Sequence, residues 1–410
     1  MKKIQPNPLK KVISAVLVLA VLIAILGPIR LAVLDVQYTA ATTPTVSSTA
    51  KGNVLMVDAL SLLEENPTVL GSSYAREDIL TVTFVDYIED TDTSWDVSAA
   101  GDNTVMAWVI SDGSGYDLYI GGEGGVVLGS GEDLFQDYTN LREIHFHSCL
   151  DTSYAETMKN MFYNCSSLTM LDLSEFDTAS VTDLSSMFYN CSNLTELDLG
   201  SFNTSAVTDM SFLFSEASAL VSVNLDSFDT SGVTDFGSMF RGCGSLKTLD
   251  LSNIDTSNAI YLLGMFRECS SLTALDLSSF DTANTTAMCY MFYDCSSLTE
   301  LDLSNFDTAA VTEMEYMFYN CNSLTELDLS NFDTAAVTEM EYMFAGCSSL
   351  RRADVSSFDT VNVTDLSYLF SDCSSLETVN AQNFTLNKRA DTTGMFEGAS
   401  ITAEEAGLNL

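Results

Sequence analysis

The chain has 410 residues, 46% of them hydrophobic, enough to build a core. Its 57 acidic residues face 16 basic ones, a net charge of −41. A surface this acidic repels nucleic acid and anionic lipid, so partners are expected to be cationic, metal-bridged or recognised through hydrogen bonds.

Lys2, Lys3, Lys10 and Lys11 precede an apolar run over residues 12–26. A basic flank followed by an apolar stretch is the pattern of an export signal. The basic flank is expected to stay in the cytoplasm and everything downstream to lie outside. The run is shorter than the ~20 residues that span a bilayer comfortably. It resumes after Gly27 and Pro28, and Thr39 and Ala41 offer small residues to a peptidase. Residues 1–37 therefore read either as a cleaved signal peptide or as a retained membrane anchor, the only membrane contact expected. Residues 38–51, rich in Thr, Ser and Ala, read as a flexible linker. Residues 52–133 carry strand-like stretches at 79–85 and 105–110 between Gly-rich turns, and read as a β-rich N-terminal cap region.

Beyond this the chain repeats. Met-Phe or Leu-Phe begins at Met161, Met187, Leu213, Met239, Met265, Met291, Met317, Met343, Leu369 and Met395, always 26 residues apart, with Leu134-Phe135 as an irregular first turn. A unit of this length cannot bury its apolar face alone, and stacking on neighbours closes the core. In the unit 298–324, LTELDLSNFDTAAVTEMEYMFYNCNSL, Leu301 and Leu303 alternate with Asp302 and Ser304, which predicts a strand with one face inward. Met314, Met317, Phe318 and Cys321 fall at i, i+3, i+4 and i+7, which predicts a short helix. Thr312 with Glu315, and Thr338 with Glu341, match a capping box. Asp183, Asp209 and Asp235 suit a first helical turn, and Asn190, Asn320, Gly242 and Gly346 suit a left-handed helix end.

The expected fold is an α/β solenoid, leucine-rich-repeat-like, over residues 134–397. It comprises ten strand–turn–short-helix repeats sharing one parallel sheet, followed by a tail at 398–410. Cys165, Cys191, Cys243, Cys269, Cys295, Cys321, Cys347 and Cys373 share one slot, taken elsewhere by Ala217 and Ala399. An alanine substitute marks a small buried apolar site, so these thiols are expected to be reduced core residues rather than disulfides. Cys289 is off phase and is expected to be a more exposed thiol.

The unit M-F-x-x-C-x-S-L-x-x-L-D-L-S-x-F-D-T-x-x-V-T-x-M resembles the repeats of BspA-like leucine-rich-repeat bacterial surface proteins, over residues 134–396. The preceding segment is also similar to that family, in Trp95-Asp96-Val97-Ser98, Val105-Met106-Ala107-Trp108 and Asp117-Leu118-Tyr119-Ile120-Gly121-Gly122-Glu123-Gly124-Gly125-Val126. The resemblance implies a cell-surface or secreted protein used in adhesion or ligand capture, and supplies no ligand. One departure is that Phe176, Phe202 and Phe228 stand where ordinary leucine-rich repeats would carry an asparagine ladder, so aromatic stacking is expected to close each coil.

Asp172, Asp198, Asp250, Asp276, Asp302, Asp328 and Asp354 form one ladder on the outward strand face, interrupted by Arg351 and Arg352. Asp177, Asp229, Asp255, Asp281, Asp307, Asp333 and Asp359 form a second at the turn, each followed by Thr, which reads as local capping. The face bearing Asp276, Asp302, Asp328, Asp354, Arg351 and Arg352 is the candidate surface for an extracellular protein or glycan. A structural spacer or surface coat is the alternative. A secreted hydrolase is a third reading, because glycosidases use paired carboxylates, but with this many aspartates such pairs arise anyway. The later repeats hold no histidine, which argues against Ser/His/Asp or Cys/His catalysis there. No enzyme activity and no cofactor are expected. The ladders offer oxygen ligands to Ca2+ without the spacing of a calcium loop. His145 and His147, the chain's two histidines, are placed by the repeat phase on the outward face of the first strand, with Cys149 inward. With Asp172 they form the candidate metal site.

Overall fold

The computed structural model describes residues 53–55, 68–111, 113–382, 384 and 386–408. The signal or anchor segment and the linker read from the sequence lie outside them. The described residues belong to one compact unit, Thr45–Leu410. Among them no helix is long and apolar enough to cross a membrane.

The N-terminal part is built on β2 (Ile79–Val85), whose Ile79, Val82 and Phe84 are fully buried. The strands β3 (Trp95–Asp96), β4 (Met106–Ser111) and β5 (Tyr116–Gly121) extend it through an antiparallel β4–β5 hairpin. On its other edge β2 pairs in parallel with β7 (Glu143–His145), so the five-stranded order is β3-β4-β5-β2-β7. A second sheet joins β1 (Val54–Leu55), β6 (Val126–Leu128) and β8 (Leu150–Asp151), all parallel. Further on, β9 (Glu196–Asp198) pairs with β10 (Ser222–Asn224). β11 (Glu326–Asp328), β12 (Arg352–Asp354) and β13 (Thr378–Asn380) pair in sequence. Leu327 opposes Ala353 and Ala353 opposes Val379, so the register equals the 26-residue repeat.

The expected α/β solenoid, with a short helix in every repeat and one parallel sheet, is overturned. Among the described residues the helical content is a single 3-10 turn, Arg76–Asp78, and the strands fall into four separate sheets. Where a helix was expected, each coil carries two left-handed residues four apart. Ser186 and Asn190, Phe212 and Glu216, Tyr316 and Asn320 all have φ between 52° and 62°. A right-handed helix cannot pass through such residues. The N–H groups then divide by alternation. Leu184, Ser186, Phe188 and Asn190 donate to Asp209, Ser211, Leu213 and Ser215 of the next coil, at 2.8–3.0 Å. Met187, Tyr189 and Cys191 close turns onto the carbonyl three residues back. A left-handed non-glycine residue costs roughly 1–2 kcal/mol, and the inter-coil hydrogen bonds offset it. The helix-like apolar spacing is the inward row of this turn ladder. The expected capping box fails too, since the Thr312 hydroxyl donates to the Thr286 carbonyl of the preceding coil at 3.3 Å.

The inward phase follows the repeat. Phenylalanines stack from Phe135 through Phe162, Phe188 and onward to Phe396. Phe318 is fully buried, 5.6 Å from Phe292 and 5.7 Å from Phe344. The phenylalanines at the asparagine-ladder position are buried, and Phe280 stacks on Phe306 at 6.4 Å. All ten cysteines are free thiols. Each in-phase thiol donates to a phenylalanine carbonyl of the preceding coil, as Cys321 does to Phe292 at 3.1 Å. Cys289, expected to be more exposed, is instead buried at 4% relative exposure. Its side chain lies in the outer lane of the turn ladder, where Glu315 and Glu341 follow one and two coils on.

A buried threonine ladder completes each coil. The Thr308 hydroxyl donates to the Asp333 carbonyl and accepts the Asp333 N–H, both at 2.8 Å, so one side chain satisfies two main-chain groups of the next coil. The same pair of bonds recurs at Thr152, Thr178, Thr204, Thr230, Thr256, Thr282 and Thr334.

Candidate binding face

The outward strand positions stand where the period puts them. Asp276, Asp302 and Asp328 are exposed, Asp354 is half-buried, and Arg351 and Arg352 are exposed. Each aspartate also closes a short turn. Asp276 accepts the N–H of Ser278, Asp302 that of Ser304, Asp328 that of Ser330 and Asp354 that of Ser356, at 2.9–3.0 Å. The hydroxyl and N–H of Ser278 hold the Asp276 carboxyl below its ordinary range. The N–H and hydroxyl of Ser304 do the same for Asp302. At Asp354 partial burial pushes upward, and bonds from Ser356 and Asn380 outweigh it. Asp276, Asp302 and Asp354 are therefore anionic at neutral pH.

Charge pairing on this face tracks where the sheet closes. Between β11 and β12, Arg352 Nη1 donates to Glu326 at 2.9 Å, and between β12 and β13 Asn380 donates to Asp354 at 2.9 Å. Arg351 lies 3.9 Å from Glu377. Asn224 bridges β10 to Asp198 of β9 at 2.8 Å. Across the intervening coils Asp250, Asp276 and Asp302 follow one another, and residues 249–251, 275–277 and 301–303 lie outside every strand. Like charges facing each other at ladder spacing oppose pairing; Asp328 also faces Asp354 where β11 and β12 pair, and there the Arg352–Glu326 contact offsets the repulsion. Among the intervening coils a slot of about 460 Å³ opens, lined by Asp250, Asp276, Ser252, Ser278 and Ser279.

Three stretches, 131–224, 221–326 and 295–407, match the family described as "Mycoplasma protein of unknown function, DUF285". The chain belongs to the DUF285 family. No curated protein and no solved structure matches it. The DUF285 matches span the stacked coils and leave most of the five-stranded sheet outside.

Two further clusters were not foreseen. Glu313 and Glu315 of one coil precede Glu339 and Glu341 of the next. Among the described residues, the sets of three or more candidate ligand atoms within 4.8 Å of one another are Cys289, Glu313 and Glu315, and Glu339, Glu341 and Asp365. Burial pushes the Glu315 carboxyl up to about 7, and Glu341 and Glu313 add repulsion. Beside them Tyr290, Tyr316, Tyr342 and Tyr368 stack at 4.7–5.0 Å, and Arg267 lies 4.6 Å over Tyr293 of an adjoining pair. The signal was present in the sequence. Glu313-Met314-Glu315 alternates polar, apolar, polar, which is strand rather than helix periodicity.

The histidines are exposed on the first coil, their rings stacked at 5.6 Å, and Cys149 is half-buried with its thiol on the His147 carbonyl at 3.1 Å. Asp172 stands on the next coil.

Proposed function

We propose that this protein is an exported, non-enzymatic surface protein whose stacked coils present the outward strand face for adhesion. The ligand class is an extracellular protein or glycan with basic or cation-bridged contacts. The carrying observation is the run of exposed carboxylates from Asp250 to Asp328 bordered by Arg351 and Arg352, a polar face with alternating open and closed stretches. The resemblance of the repeat to BspA-like surface proteins supports the same reading, as does the basic and apolar start of the chain. Many weak contacts on such a face multiply when copies share a surface.

A spacer is the second reading. It is favoured by residues 298–318 and 324–344, which are identical and so present the same face twice. Beads carrying the protein should adhere to a matrix protein, a glycan or a neighbouring cell, and attachment should weaken as salt rises. Reversing Asp302 and Asp328 to Lys together should reduce adhesion while thermal unfolding stays cooperative. Full adhesion by the double variant would exclude this face. Absence of binding across a broad panel would leave the spacer.

A further inference from the structure

Of all the surface features, one cavity gathers chemistry that the rest of the chain lacks. It holds about 260 Å³ and is lined by Ile144, His145, Phe146, His147, Ser148, Leu150, Asp172, Ser174, Glu175 and Phe176. Both histidines of the 410-residue chain stand on its wall. They come from one coil, at the end of β7 and just beyond it. The opposite wall, Asp172, Ser174 and Glu175, comes from the next coil. Between these walls the backbone ladder is interrupted, because residues 171–173 lie outside every strand while β7 pairs only with β2. The slot is bounded at one end by Ser148 Oγ, which donates to Glu175 at 2.7 Å.

We propose that this slot binds a divalent transition-metal ion of the zinc type, held by His145, His147 and Asp172. Imidazole nitrogen with a carboxylate oxygen suits Zn2+ and its neighbours, whereas Ca2+ and Mg2+ take oxygen ligands. Asp172 is exposed on the wall facing the histidines, and its carboxylate accepts the N–H of Ser174 at 3.0 Å, which fixes its orientation. Glu143 lies 3.4 Å from His145 Nε2, the carboxylate contact that orients a metal-binding imidazole and leaves Nδ1 for the ion. The three ligand atoms are not gathered within 4.8 Å. Coordination by all three therefore requires the two walls to approach, in the one stretch where residues 171–173 do not pair with β7.

The test is titration of the full-length chain with Zn2+ against a chromophoric chelator, with Co2+ absorbance reporting nitrogen and oxygen ligation. One high-affinity Zn2+ per chain is expected. His145→Ala, His147→Ala and Asp172→Asn should each weaken it by about ten-fold or more. Each variant should keep the cooperative melt of the parent without metal, because all three side chains are at the surface. Cys289→Ser with Glu313→Gln and Glu315→Gln should leave the Zn2+ affinity unchanged. A chain that binds no Zn2+, or binds it equally well without both histidines, would overturn the proposal. Loss of binding in the Cys289 variant alone would overturn it as well, and assign the ion to the turn ladder.

Discussion

Single side chains carry inter-coil coupling in two ways, by stacking and by bridging. Phe318 has a ring on either side and no exposure. Truncating it to alanine should cost ~3–5 kcal/mol. Amide exchange should accelerate in coils Met291 to Met343, and unchanged exchange there would contradict the stack. Thr308 shows the second mode. Thr308→Val keeps the shape and removes both hydrogen bonds, leaving the Asp333 N–H and carbonyl without their partner. The expected loss is roughly 1–3 kcal/mol, with Thr308→Ser retaining most of the stability in chemical denaturation. Cys321→Ala should be milder than either, because Ala217 already occupies the same slot, fully buried.

At the scale of the coil, conformation is set by left-handed residues rather than by helix propensity. Gly346 has φ +76°, and a Cβ there would lie 2.1 Å from the Asn320 side-chain oxygen of the preceding coil. Gly346→Ala should therefore cost about 1–3 kcal/mol, whereas Asn320→Gly, at φ +57°, should cost far less. Far-ultraviolet circular dichroism of the protein should lack the double minimum of helix, and a strong helical spectrum would refute this coil. The sequence made the period, the inward residues and the outward aspartates legible, because repetition reports phase directly. It did not make the turn ladder legible. An inward row spaced three and four apart is shared by a helix and by successive turns with a left-handed residue between them. The occupants of the left-handed slot, Ser186, Phe212 and Tyr316, are residues that give no such warning. The paired role of Thr308 was hidden for a related reason, since its partners lie 25 residues away.

For the whole stacked unit, charge sets the working range. Burial pushes Glu315 up to about 7, and Asp133 and Asp235 up to about 6, from ordinary values of 4.5 and 3.8. A carboxyl with a raised folded-state pKa binds its proton more tightly when folded, so stability falls as pH rises from the unfolded value through the folded one. Surface aspartates such as Asp250 and Asp302, held low by N–H and hydroxyl bonds, act oppositely and lose their contribution in stronger acid. Stability should therefore peak at about pH 4 and decline from there through about pH 7. Glu315→Gln should flatten that decline, and a melting temperature that rises from pH 5 to pH 8 would contradict the buried carboxylates. The inter-coil hydrogen bonds have a further consequence. Every coil offers its successor the same set of donors that it received from its predecessor, and residues 298–318 and 324–344 are letter for letter the same. Removing or duplicating one 26-residue period there rejoins matching edges, so copy number is free to drift by recombination, and reach becomes a heritable variable that changes in steps of about 4.8 Å.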